Sequence, residues 1–105
     1  MKSVLWLDDL RDPKCFLKEY DSYDVVWIKD YRSFVEYIGN GQLPDVVDFD
    51  HDLGEGESGY DCVKFLVNWC IDHGAGLPEI EIHTSNPVGR DNIKSIVDSF
   101  RKIYG

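Results

Sequence analysis

The chain has 105 residues, with eleven Lys or Arg against twenty Asp or Glu, a formal charge of −9. That size fits one domain, read as 1–105, and 43% apolar residues with three Trp, six Tyr and five Phe supply a core without disulfide staples. No apolar run approaches the roughly 18 residues of a membrane span, and the acidic balance leaves no basic stripe to displace counterions from polymeric nucleic acid.

Val4-Leu5-Trp6-Leu7 is wholly apolar and stops abruptly at Asp8-Asp9, as a strand buried on both faces does. Residues 10–23 contain Pro13 and at most two helical turns around Phe16 and Tyr20. Val25-Val26-Trp27-Ile28 is a second strand. Tyr31, Phe34, Val35 and Ile38 then follow helical spacing, with Asp30 as N-cap and Gly39-Asn40-Gly41 as stop. A third strand, Val46-Val47-Asp48-Phe49, ends in Asp50-His51-Asp52. The glycine-rich acidic loop 53–59 follows, expected to be a mobile lid. Cys62, Val63, Leu66, Trp69 and Cys70 make the apolar face of a helix that Gly74–Pro78 terminates. Ile80-Glu81-Ile82-His83 alternates as a half-buried strand, and Ile93, Ile96, Val97, Phe100, Ile103 and Tyr104 mark a last helix.

Strands alternating with helices predict an α/β fold, a small three-layer sandwich on a parallel sheet with right-handed crossovers. Strands one and three are apolar on both faces and belong in the centre, whereas strand four alternates and belongs at an edge, so the predicted order is 2-1-3-4. Cys15, Cys62 and Cys70 form an odd set without metal-ligand spacing. They read as thiols in a reducing cytoplasm, with Cys62 and Cys70 in the core. The acids in MKSVLWLDD come too early for a signal peptide, and the expected location is cytoplasmic.

In that strand order the chain reverses between strands one and three, and open α/β sheets bind ligands at the carboxyl ends of the strands beside such a reversal. Asp8 and Asp9, then Asp50, His51 and Asp52, then His83, Thr84, Ser85 and Asn86 all gather there. Carboxylates converging on one point repel unless a cation holds them, and hard oxygen donors suit Mg²⁺ or Mn²⁺, with Ca²⁺ as a further option. The expected metal ligands are Asp8, Asp9, Asp50 and Asp52. A bound cation also makes an acidic protein compatible with a small phosphorylated ligand. His83 and His51 are the candidate acid–base residues, with His83 preferred because its side chain should leave the face opposite Ile80 and Ile82. Thr84, Ser85, Asn86 and Arg90 are the candidate phosphate ligands, although Asn86 before Pro87 reads equally well as a plain helix cap. His73, in a turn after a helix, should play no part.

The ordered set Leu5-Trp6-Leu7-Asp8-Asp9-Leu10-Arg11, Asp48-Phe49-Asp50-His51-Asp52-Leu53-Gly54, Gly59-Tyr60-Asp61 and His83-Thr84-Ser85-Asn86-Pro87-Val88-Gly89-Arg90 resembles the cyclic-phosphate processing receiver-like family, an offshoot of the response-regulator receiver fold. The resemblance runs from about residue 3 to residue 95. It implies a flavodoxin-like, receiver-like domain of four βα units, without the receiver's fifth unit and its lysine. In receivers the acidic pair after strand one and the aspartate after strand three hold Mg²⁺, and the latter accepts phosphate; Asp8, Asp9 and Asp50 match these positions. The expected function is a metal-dependent phosphoesterase acting on a small cyclic phosphate, with Asp50 in the catalytic set beside the histidines. The alternative is a non-catalytic receiver-like module that binds a nucleotide or a protein partner, and a phosphoaccepting receiver is a third reading.

Overall fold

Four short parallel strands set the frame. They are β1 (Ser3–Leu7), β2 (Asp24–Ile28), β3 (Val46–Phe49) and β4 (Glu79–Ile82), in the order β2-β1-β3-β4. The computed structural model describes residues 2–10, 20–50, 58–84 and 86–104. Three helices are described: α1 (Tyr31–Gly39), α2 (Gly59–His73) and α3 (Pro87–Tyr104). The predicted strand order is therefore the observed one, with β4 at an edge. His83 falls one residue beyond its strand rather than within it.

Period-two alternation divides the sheet cleanly. Leu5, Leu7, Ile28, Val47 and Phe49 point to one face and pack against Phe34 and Ile38 of α1, Cys62, Val63, Leu66 and Cys70 of α2, and Ile93, Val97 and Phe100 of α3. Val4, Trp6 and Val46 point to the other face and cluster with Tyr20, beside Tyr23 and Trp27. All three described helices thus cover one face. Residues 11–19, within the stretch read as at most two helical turns around Phe16 and Tyr20, lie outside the described residues.

The helix ends follow from local chemistry. Asp30 caps α1 by accepting the Ser33 N–H at 2.8 Å. The chain leaves α1 through Gly41, whose φ of +84° suits a residue without Cβ. The Asp61 carboxylate accepts the Ser58 N–H at 2.8 Å, a capping-box bond that starts α2, and Gly74 in the left-handed region ends it. Cys62 and Cys70 are core residues, as expected, and burial pushes the Cys70 thiol pKa up. Among the described residues no helix is long and apolar enough to cross a membrane.

Candidate active site at the carboxyl edge of the sheet

Register alone brings the site together. Leu7 pairs with Phe49, and Phe49 with Ile82. The next residue on each strand is Asp8, Asp50 and His83. The ladder runs on through them, because Asp50 N–H donates to Leu7 O and His83 N–H to Phe49 O, both at 2.9 Å. By alternation all three side chains leave the sheet on the Trp6 face. Their ligand atoms, one carboxylate oxygen from each aspartate and one ring nitrogen, lie within 4.8 Å of one another.

Asp8 and Asp50 are more than nine-tenths buried, at 1% and 8% exposure. Asp8 Oδ1 accepts the Leu10 N–H at 2.9 Å, and its backbone carbonyl accepts the Trp27 indole N–H at 2.8 Å, which ties β2 to the end of β1. Asp8 Oδ2 faces His83 Nε2 at 3.1 Å. On the other side of the ring, His83 Nδ1 meets Asp48 Oδ1 at 2.5 Å, and Asp48 Oδ2 accepts the Tyr20 hydroxyl at 2.9 Å. Each ring nitrogen thus faces a carboxylate oxygen, Nδ1 that of Asp48 and Nε2 that of Asp8. The imidazole also lies flat on the Trp6 indole, with centroids 3.7 Å apart and planes 6° from parallel. Two hydrogen bonds and a stack fix this ring in position and in plane.

Asp48, Trp6 and Tyr20 are site residues that the sequence reading did not include. A signal for Asp48 was present: it is the single acid in an apolar strand and sits two residues before Asp50, hence on the same face. Tyr20 carries no such signal, because its segment has no periodicity.

The other candidates divide into three groups. Asp9 is half-exposed and does not join the Asp8–Asp50–His83 group. Thr84 is buried; its Oγ accepts the Asn86 N–H at 3.2 Å and its carbonyl accepts Arg90 Nη2 at 3.1 Å. Asn86 Oδ1 accepts the Gly89 N–H at 3.0 Å, so this side chain caps α3. Arg90 is thereby tied to the segment leading out of β4, beside the groove between that strand and α3. His51, Asp52 and Ser85 lie outside the described residues, as do residues 53–57 of the expected lid. His73 stacks on Trp69 in the last turn of α2, at the opposite end of the sheet.

The donor set fits a divalent cation. Two buried carboxylates within reach of each other and of an imidazole offer the charge and the oxygen donors that such an ion takes.

A parallel 2-1-3-4 sheet with acids at the ends of its two central strands defines the receiver-like class of α/β domain. Solved structures agree on the fold. The N-terminal domain of a response regulator/sensory box/GGDEF three-domain protein from Carboxydothermus hydrogenoformans is 20% identical, with a TM-score of 0.65, over 98% of this chain and 93% of that one. The response regulator domain of Thermotoga maritima CheB is 17% identical, with a TM-score of 0.53, over 96% and 94%. A fusion carrying the yeast Spc42 trimeric coiled coil is 19% identical, with a TM-score of 0.68, over 98% and 74%. Similarity at these identities concerns the fold alone. No curated protein matches the chain. The family model of the cyclic-phosphate processing receiver domain matches residues 3–99, and the chain belongs to that family.

Proposed function

We propose that the protein is a metal-dependent phosphoesterase acting on a small cyclic phosphate of a nucleotide or sugar derivative. The observation that carries this reading is the convergence of buried Asp8 and Asp50 on a histidine whose ring is held from three sides. Membership of a cyclic-phosphate processing family supports the substrate class. Asp8 and Asp50 would hold Mg²⁺ or Mn²⁺, which when bound polarises a phosphate oxygen and lowers the pKa of water.

The remaining work falls to the chain's own side chains. Asp48 fixes the His83 tautomer, as a buried acid behind a catalytic imidazole does. His83 Nε2 would then take a proton from the attacking water and deliver it to the departing oxygen. Arg90, anchored by one Nη2 bond to Thr84 O, keeps further N–H donors for phosphate oxygens, and the Thr84 hydroxyl adds another. His51, Asp52 and Ser85 keep the roles that their place in the motif suggests, as a second proton carrier, a further acid near the cation and a phosphate donor.

Purified protein tested against 2′,3′-cyclic nucleotides and other cyclic phosphodiesters, with and without EDTA, tests the reading. Turnover that EDTA abolishes and that Asp50→Asn removes together with divalent affinity is the expected result. Binding of a cyclic phosphate without turnover would make the chain a non-catalytic module. Labelling of Asp50 by a small phosphodonor would make it a phosphoaccepting receiver.

A further inference from the structure

Next to the site, the outer edge of β4 combines three features. The first is main-chain groups directed outward. Glu79 N–H donates to Asp45 O and His83 N–H to Phe49 O, both toward β3. The intervening residues alternate, so Ile80 and Ile82 turn their N–H and C=O groups to the open side, where no strand pairs with them among the described residues. The second is a groove of about 320 Å³ between this edge and α3, floored by half-buried Ile80 and Ile82 and by Val97. The third is charge. Arg90, Lys94 and Arg101 line this groove, three of the eleven cations in a chain of charge −9. All three are exposed, at a spacing that sets them along one side of α3. Glu81 and Asp98 also border the groove, and Glu79 and Glu81 project from the opposite face of the strand.

We propose that the β4 edge is a docking surface for an extended, acidic segment of a partner protein, which adds to the sheet as a further strand. Main-chain bonds to Ile80 and Ile82 would supply its affinity. Alternate carboxylates, on the α3 side, would meet Lys94 and Arg101. The residues between them, facing Glu79 and Glu81, must be uncharged or basic. A second copy of this chain fits poorly. It sets its own Arg90, Lys94 and Arg101 at the same edge, like charge facing like.

The test uses a synthetic peptide of alternating threonine and glutamate, with a threonine–asparagine version as control. The expected result is saturable binding of the glutamate peptide that weakens with salt and slows amide exchange at Ile80 and Ile82. Lys94→Glu, an exposed change on α3, should weaken it roughly fivefold to tenfold. Arg101→Glu should do the same, but Arg101 also donates to Pro78 O at 3.4 Å, so Lys94→Glu is the cleaner variant. Equal binding of both peptides, insensitivity to Lys94→Glu with the fold intact by circular dichroism, or unchanged exchange at Ile80 and Ile82 would overturn the proposal. A dimer in sedimentation that Lys94→Glu dissociates would make a second copy the occupant and overturn it equally.

Discussion

Replacing Asp48 with Ala removes the acceptor of both the Tyr20 hydroxyl and His83 Nδ1 inside a buried cluster. Two polar groups are then left to find other partners, and the expected cost is on the order of 1–3 kcal/mol in denaturant unfolding. Tyr20→Phe, which deletes one bond and leaves Asp48 its histidine, should cost about 1 kcal/mol. His83 itself is tested by separating rate from cation affinity. Where turnover is measured, His83→Ala should lower kcat on the order of 10²-fold or more while divalent binding by calorimetry changes little, and His73→Ala should alter neither. A matching loss of cation affinity would make His83 a ligand instead of the proton carrier. At this scale the acids at the strand ends were legible, since Asp8 and Asp50 each interrupt an apolar run. Their outer support was not. Asp48 hides inside a strand that otherwise reads as core, and the stacking of His83 on Trp6 depends on two strands, β1 and β4, that never pair with each other.

Single elements carry their own pH dependence. Asp30 accepts the Ser33 N–H and Asp61 accepts the Ser58 N–H, and these bonds hold both carboxyls below the ordinary 3.8. A depressed folded pKa contributes stability that is present above 3.8 and is lost as the pH falls through the lowered value. Asp30→Ala should therefore cost about 1 kcal/mol at neutral pH, the usual worth of an N-cap. The gap between wild type and variant should close below 3.8 in chemical denaturation followed against pH. The start of α1 was readable because Asp30 precedes a regular apolar period. The start of α2 was less so: Ser58 and Asp61 sit at the end of a glycine-rich run, and the pair declares itself only once the helix brings residues three apart within bonding reach.

Across the whole molecule the sheet order was legible from burial pattern alone. The wholly apolar β1 could only be central and the alternating β4 only peripheral, and this fixed which strand ends would neighbour each other. What the pattern did not reveal is that all three described helices share one face, because an amphipathic stripe states that a helix is covered and not by which side of the sheet. One arrangement has a kinetic consequence. Asp8, Asp50 and His83 come from three different strands, and the Asp8–His83 pair spans 75 positions of sequence. The three meet only when β1, β3 and β4 stand in their final register, so long loops must close before a divalent ion finds its ligands. Such an ion acts on the native state and not on the barrier that precedes it. Millimolar Mg²⁺ or Mn²⁺ should slow unfolding in proportion to the stability it adds and leave the refolding rate nearly untouched, a difference that stopped-flow chevrons with and without EDTA will display as a shift of one arm only.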